Sequence, residues 1–227
     1  MQEMGGWENR AVVEAYAEYA KVCFELFGDR VKHWITFNEP IVPVEAGYLY
    51  NWHYPNVMDG KRGIQVAFNT MLASAKAIEV YKSLNLDGQI GVVLNLTPSY
   101  PRSIENPDDV KAAHIADLFF NNSFLDPSVK GEYPKDLVSL LKEHDVLPQY
   151  ETEDLEVIKH NTVDYLGVNY YQPRRIKAKE SEVNKDIFMP DWFFDYYKMP
   201  GRKMNPHRGW EIYEKGIYDI CLNIRDN

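Results

Sequence analysis

Cysteine is scarce in this sequence of 227 residues, which contains only Cys23 and Cys221. Two cysteines cannot build a disulfide framework or a structural zinc site, so we interpret both as reduced thiols of a cytoplasmic protein. No two of the six histidines are spaced four residues apart, as the zinc ligands of a helical metal site would be. The sequence therefore predicts no metal site and no cofactor.

Long hydrophobic runs and an excess of basic residues are also missing. No run of about 18 apolar residues is present, so no membrane span is predicted. The first residues, Met1–Gly6, contain neither a basic nor an apolar segment, so we expect no signal peptide and a cytoplasmic location. Lys and Arg number 25 against 34 Asp and Glu, and the formal charge of −9 argues against nucleic-acid or anionic membrane partners.

The sequence does have the composition of a globular domain, with 45% hydrophobic and 26% charged residues. Its apolar residues recur with helical or strand periods. The predicted helices cover residues 10–27, 64–84, 106–122, 135–144 and 213–224. The predicted strands cover residues 31–37, 89–96 and 162–169, and the predicted loops include 41–61 and 174–186. Because helices and apolar strands alternate, we expect an α/β fold with parallel strands covered by helices.

The segment Trp34–Pro40 is the most informative string in the chain. Its apolar part ends in Asn38 and Glu39, and Pro40 stops the strand because proline has no N–H to donate. A strand that ends in this way delivers an amide and a carboxyl group to the rim of a sheet. An isolated Glu before a Pro is most often a surface residue, so the interpretation depends on the rest of the chain.

Other strings accompany this motif. They are Gly5–Arg10, Phe27–Lys32, Phe124–Pro127, Gly131–Pro134 and Gly167–Tyr171. Together with Trp34–Pro40 they cover nearly the whole chain, and in order and spacing they resemble glycoside hydrolase family 1. Within that family, the stretches Asn38–Val42 and Asn169–Arg175 are similar to the bacterial 6-phospho-β-glucosidases.

The resemblance implies a (β/α)8 TIM barrel, of which this chain would supply about strands 4 to 6 as a single partial domain over residues 1–227. Family members carry a sugar-binding motif on earlier strands and a nucleophile motif, Thr/Ser-Glu-Asn-Gly, on the seventh strand. The nucleophile motif does not occur in this sequence. A typical barrel needs about 250 residues, so we expect the chain to be an internal portion of a glycosidase that is inactive by itself.

The resemblance also implies roles for four residues. Glu39 matches the acid/base, one of the two carboxyl groups that retaining glycosidases place about 5–5.5 Å apart. Asn38 matches the residue that binds the sugar 2-hydroxyl, and Tyr171 matches the tyrosine that orients the nucleophile. Asn169 lies two residues before Tyr171 and is expected to line the same pocket.

Three nearby residues bear on the substrate. Arg174 and Arg175 follow the last predicted strand, and we expect a solvated basic pair there, with contact to a sugar phosphate as the alternative. Many family members place a tryptophan directly after the Asn-Glu-Pro string. This chain has Ile41 at that position, so a preference for simple aryl glucosides is not expected.

The predicted function is retaining hydrolysis of β-glycosides, above all 6-phospho-β-glucosides, with a sugar or sugar phosphate as the small-molecule partner. Two alternatives stay open. The chain could be a catalytically incompetent barrel portion that binds sugar, or that forms a homo-oligomer through its open strand edges. It could also come from an unphosphorylated β-glucosidase or β-galactosidase, which would differ only in its substrate.

Overall fold

The computed structural model describes residues 2–226, and its helices and strands alternate along the chain. The helices are α1 (Arg10–Phe27), α2 (Ile41–Val44), α3 (Gly60–Ser83), α4 (Pro107–Asp117), α5 (Ser123–Val129), α6 (Lys135–Glu143), α7 (Thr152–His160) and α8 (Lys215–Asp226). The strands are β1 (His33–Asn38), β2 (Gln89–Asn95), β3 (Ser99–Pro101), β4 (Tyr165–Asn169), β5 (Arg174–Ala178) and β6 (Phe194–Tyr196). Two π-helices, Glu45–Leu49 and Leu118–Asn122, follow α2 and α4. The five predicted helices and three predicted strands are present; α1 has its predicted bounds and the other elements have shifted ends.

The first sheet consists of β1, β2 and β4 in that order, and its strands are parallel. Ile90, Val92 and Leu94 of β2 are fully buried on the face that packs against α1, α3 and α5. The opposite face is open, because His33 and Ile35 of β1 are exposed there. A parallel sheet is ordinarily covered on both faces, so this sheet has the form of one arc of a larger layer structure.

The second sheet corrects the predicted loop over residues 174–186. β5 pairs parallel with β3 and antiparallel with β6, so Arg174–Ala178 is a strand. Arg175 and Ile176 are both buried, although neighbouring residues of a strand point to opposite faces. The strand is thus covered on both sides, and it lacks the alternation of polar and apolar residues by which half-buried strands are predicted.

Two further differences concern helices. The predicted loop over residues 41–61 begins with α2 and the π-helix Glu45–Leu49, and Pro40 precedes α2 with a helical φ of −61°. Helix α5 is absent from the predicted elements, and so is helix α7. It begins with a capping box in which the side chains of Glu151 and Asp154 each accept a backbone N–H bond from the other residue. The buried Asp154 carboxylate also binds Arg10, which ties α7 to α1.

Candidate active site

The three parallel strands of the first sheet all end in asparagine. Asn38 ends β1, Asn95 ends β2 and Asn169 ends β4. Asn95 and Asn169 are register partners, and Asn38 lies opposite Val93 of β2. The carboxyl ends of parallel strands meet at one edge of a sheet, and in α/β folds that edge is where ligands bind.

A β-bulge in β1 decides which way the Asn38 side chain points. Ile35 lies opposite Gly91 and Asn38 lies opposite Val93, so three residue steps of β1 match two steps of β2. Side chains of a strand alternate between the two faces of the sheet. One extra residue therefore places every later side chain on the face opposite to the one that strict alternation would give it. Phe37 therefore packs on the helix side of the sheet, and Asn38 emerges on the open side.

Helices α1 and α3 hold this bulge in place. The ring of Phe37 stacks on Tyr16 with centroids 4.7 Å apart, and Trp7 meets Phe37 edge-on at 5.4 Å. The hydroxyl of Tyr16 donates to the carbonyl oxygen of Thr36, and burial raises the pKa of this tyrosine. The hydroxyl of Thr36 lies 2.7 Å from that of Ser74 in α3. The bulge is thus fixed by ring packing and by polar contacts.

Glu39 is the residue around which the site is organised. Its backbone has a φ of +54°, a left-handed conformation that non-glycine residues adopt mainly where the surroundings enforce it. Its N–H donates to the carbonyl oxygen of Val93 at 2.8 Å. Its Oε1 accepts a bond of 2.7 Å from the Asn169 amide and another of 2.7 Å from the Tyr171 hydroxyl. The same Asn169 nitrogen lies 3.3 Å from Oδ1 of Asn38.

The four residues predicted from the motifs therefore lie together, and hydrogen bonds link them. Two donors hold Oε1 of Glu39, and no hydrogen bond to Oε2 is formed within residues 2–226, so Oε2 is the oxygen that can meet a ligand. Tyr171, predicted to orient a nucleophile, bonds to Glu39 instead, and this bond raises the pKa of the tyrosine. The catalytic roles of the four residues stay predictions.

Arg174 is not part of a solvated basic pair, as the sequence interpretation expected. Its guanidinium donates to both carboxylate oxygens of Glu45 at 3.0 Å, to Thr97 Oγ1 at 2.8 Å and to the Tyr196 hydroxyl at 3.1 Å. It also lies over the ring of Phe120, 4.0 Å from the centroid. This residue connects the segments that follow β1, β2 and β4, so its donors are occupied by the protein itself.

Arg175 is buried as well. It forms an ion pair with Glu211 at 2.6 Å, and the two side chains are 9% and 4% exposed. Its guanidinium lies 4.9 Å from the ring centroid of Tyr100 and 4.5 Å from that of Tyr213. The expectation of a solvated pair is wrong for both arginines, because carboxylates distant in sequence meet them in the fold.

A cavity of about 700 Å³, here called the rim pocket, opens beside Tyr171. Its lining includes Glu45, Trp52, Asn95, Thr97, Tyr171 and Trp210. The sequence interpretation did not assign Asn95 or Trp52 to a site. The signal for Asn95 was present, because it ends its strand as Asn38 and Asn169 end theirs. Trp52 lies in the long, aromatic-rich segment after β1, and long loops are often functional, but only the fold brings this segment to the pocket.

The described part of the chain contains neither a metal-binding cluster nor a membrane-spanning helix. Residues 2–226 contain no cluster of three or more His, Cys, Asp or Glu side chains placed to hold a metal ion. None of the helices in this range is both long and apolar enough to cross a membrane. A second cavity, of about 270 Å³, lies between the outer helices with an almost wholly apolar lining that includes none of the four site residues.

Asp117 lies behind the rim pocket and makes the stability of the fold depend on pH. Its Oδ1 accepts bonds from the Ser99 N–H at 3.0 Å and the Asn121 amide at 2.6 Å. Burial nevertheless dominates and raises the pKa of Asp117 from 3.8 to about 6. The folded chain then holds this proton more tightly than the unfolded chain does. The stabilising contribution of protonated Asp117 to the free energy of unfolding is therefore full below pH 3.8 and is lost as the pH rises through about 6.

We expect Asp117→Asn to remove this pH dependence. Relative to the variant, the unmodified chain should lose up to about 3 kcal/mol of unfolding free energy between pH 4 and pH 7. Urea unfolding of both proteins at a series of pH values measures the difference, which cancels the titration of the other carboxylates. If the free energies of unfolding of the two proteins followed parallel curves against pH over this range, Asp117 would already be ionised in the folded chain.

The comparisons with known proteins agree with this geometry. The family model described as Glycosyl hydrolase family 1 matches residues 1–227. The chain belongs to this family. It is 64% identical over 228 residues to 6-phospho-beta-glucosidase GmuD of Bacillus subtilis (strain 168), covering 100% of this chain and 49% of that protein. It is 36% identical to the 1,4-beta-D-glucan glucohydrolase of Thermotoga neapolitana, covering 100% of this chain and 50% of that protein.

Solved structures place the fold in the same family. A beta-glucosidase from Exiguobacterium marinum superposes with a TM-score of 0.85 at 30% identity, over 100% of this chain and 49% of that one. The family 1 b-glucosidase from Thermotoga maritima gives a TM-score of 0.85 at 33% identity, over 100% of this chain and 48% of that one. The predicted partial TIM barrel is therefore confirmed, and the chain spans about half the length of the curated relatives it matches.

Proposed function

We propose that the polypeptide to which this chain contributes hydrolyses β-glycosidic bonds with retention, and that its preferred substrates are 6-phospho-β-glucosides. The observation that carries the proposal is the Glu39 carboxyl group at the carboxyl edge of the parallel sheet, held through Oε1 by Asn169 and Tyr171. The 64% identity to a 6-phospho-beta-glucosidase supports the phosphorylated glycone. Because sugars phosphorylated on uptake are inside the cell, we propose a cytoplasmic location.

In the proposed reaction, Glu39 first donates a proton to the glycosidic oxygen and later removes one from water. Asn38 lies on the same face and would bond to the sugar 2-hydroxyl, an interaction that strengthens towards the transition state. The attacking carboxylate must lie about 5–5.5 Å from Glu39. The nucleophile motif of the family does not occur in these 227 residues, so we propose that this carboxylate comes from outside the chain.

The test uses residues 1–227 alone and in a barrel chimera, in which the flanking segments of the 64%-identical relative complete the barrel. We expect the chimera to hydrolyse p-nitrophenyl β-glucoside 6-phosphate with a kcat/KM at least about 100-fold above that for the unphosphorylated glucoside, because a buried charged contact supplies roughly 3 kcal/mol. The chain alone should be inactive. A folded chimera that hydrolyses neither compound would contradict the proposal, and a preference for the plain glucoside would favour the alternative substrate.

A second proposal concerns the isolated chain, which we expect to self-associate. The open face of the first sheet exposes Ile35 to 48%, and the edges of β1 and β4 present unpaired backbone groups. Size-exclusion chromatography with light scattering should give a mass above 26.5 kDa, and Ile35→Lys should shift it downwards. Ile104→Lys, at an 82% exposed position elsewhere, is the control. A monomeric unmodified chain would overturn this proposal.

A further inference from the structure

We propose that the cavity between the outer helices binds a small, neutral aromatic molecule that carries one hydroxyl group. This cavity is here called the helix pocket, and its lining includes Phe68, Phe119, Tyr133, Leu141, Tyr150 and Leu155. Within residues 2–226, no strand residue and none of the four candidate site residues lines it. The inference therefore concerns a site separate from the rim pocket and goes beyond the proposed function.

The size and the lining of the helix pocket suit an aromatic ring. Its volume is about 270 Å³, whereas an apolar cavity of roughly 150 Å³ is enough to take up benzene. The ring of Phe68 contacts the rings of Tyr133 and Tyr150, at centroid distances of 6.0 Å and 5.5 Å. Aromatic rings attract one another at such separations, so a further ring would gain from contact with this wall.

Tyr133 supplies a buried hydroxyl group that has no hydrogen-bond partner in the described part of the chain. Such groups are rare in folded proteins, because the water they lose is ordinarily replaced by another partner. The hydroxyl of Ser123, which also lines the pocket, does have a partner, the carbonyl oxygen of Phe119 at 2.6 Å. Burial alone raises the pKa of Tyr133, so this hydroxyl stays a neutral donor. A hydroxyl group on a bound molecule would supply the missing acceptor.

The turn before α6 fixes Tyr133 in the wall of the pocket. Gly131 has a φ of +74°, and a Cβ atom at this position would lie 2.6 Å from the carbonyl oxygen of Lys159 near the end of α7. Only glycine permits this close approach of the turn to α7. Pro134 directly precedes α6. The proposed reaction makes no use of the string Gly131–Pro134, and in the helix pocket this string has the role of holding Tyr133.

The mouth and the charge of the helix pocket select neutral molecules. Val138 of α6, Tyr150 and Leu155 of α7 line it and are exposed, which leaves an apolar entrance between the two helices. In the range 2–226, the one charged side chain of the lining is that of Glu132, which is exposed. An anion would find no cation in this lining, and burying an unpaired charge is far more costly than burying a neutral hydroxyl group.

The first test uses 4-ethylphenol and ethylbenzene, which differ by one hydroxyl group, with saturation-transfer difference NMR on residues 1–227. We expect Tyr133→Phe to raise the Kd of 4-ethylphenol about fivefold, since one hydrogen bond is lost, and to leave that of ethylbenzene unchanged. Tyr218→Phe makes the same substitution at an exposed position of α8 outside the lining, and should change neither value. No binding of 4-ethylphenol to the unmodified chain, or equal effects of Tyr133→Phe on both compounds, would overturn the inference.

The second test checks the place and the charge of the site. Ala67 of α3 lines the pocket, and Ala67→Leu should fill part of it and raise the Kd of both compounds at least about tenfold. The anion 4-ethylbenzoate should bind at least about tenfold more weakly than 4-ethylphenol at neutral pH. Urea unfolding confirms that the variant is folded. An unchanged Kd in a folded Ala67→Leu chain, or equally tight binding of 4-ethylbenzoate, would contradict the inference.

The third test repeats the 4-ethylphenol measurement on the barrel chimera, in which the rest of the barrel is present. We expect the same Kd, because the described walls of the pocket all belong to this chain. Binding to residues 1–227 but not to the folded chimera would overturn the inference, since the added segments would then cover the entrance. A chimera that binds 4-ethylphenol but hydrolyses nothing would contradict the proposed function and leave this inference standing.

Discussion

Replacing Glu39 by Gln in the barrel chimera should lower kcat/KM for an unactivated glycoside by about 10²–10⁴-fold. The substitution keeps a side chain of the same shape, and the Gln oxygen can still accept from Asn169 and Tyr171 as Oε1 does now. What it removes is the transferable proton. The loss should therefore be much smaller in the first step for a 2,4-dinitrophenyl leaving group, which departs without protonation. Deglycosylation still lacks its base, so a burst of dinitrophenolate followed by slow turnover is the expected signature.

Glu105→Gln is the matched control for this experiment. Glu105 is exposed on the segment before α4 and matches no catalytic motif, so its amide should leave all rates unchanged. Equal losses for good and poor leaving groups in the Glu39→Gln chimera would argue for a role in binding or folding. Full activity in that chimera would exclude Glu39 as the acid/base.

Replacing Arg175 by Met should destabilise the fold by about 3–5 kcal/mol, because it leaves the carboxylate of Glu211 buried without its cation. The pair is 9% and 4% exposed, and the rings of Tyr100 and Tyr213 flank the guanidinium. Urea unfolding of residues 1–227 at fixed protein concentration measures the loss. Adding Glu211→Leu should recover most of it, since a hydrophobic pair of similar volume carries no desolvation penalty.

Arg30→Met provides the contrast on the surface. Arg30 pairs with Asp29, and the two side chains are 68% and 71% exposed, so this substitution should cost less than about 1 kcal/mol. Equal effects at the two positions would mean that the Arg175 pair is solvated after all. A double variant as unstable as Arg175→Met alone would mean that packing, and not the orphaned charge, sets the cost.

Sequence alone was sufficient for the parts of the molecule that depend on local pattern. Periodicity located α1 at its observed bounds and placed the three parallel strands. The Asn38-Glu39-Pro40 string identified the carboxyl group on which Asn169 and Tyr171 converge, across about 130 residues of chain. That convergence follows once the strands are known to be parallel, because their carboxyl ends must share one edge.

Sequence was insufficient where distant segments decide the environment of a residue. From the sequence alone, Arg174 is predicted to be a surface cation, but in the fold it donates hydrogen bonds to Glu45 and Thr97. Arg175 is likewise predicted to be exposed, but in the fold it pairs with Glu211. For the same reason β5 was mistaken for a loop, since elements distant in sequence, among them α4, cover its faces and its residues do not alternate between polar and apolar. The extent of the domain, residues 1–227 as one unit, stays a prediction.

The bulge in β1 has a consequence for how this strand can change. Thr36 and Phe37 both contact the helices, so the strand contains one residue more than strict alternation allows. Deleting one of these two residues would remove the bulge and leave Asn38 opposite Val93 on the open face, whereas restoring strict alternation with every residue retained would turn Asn38 into the packed layer. The bulge is therefore what lets a strand of this length pack both Thr36 and Phe37 against the helices and still present Asn38 at the open face.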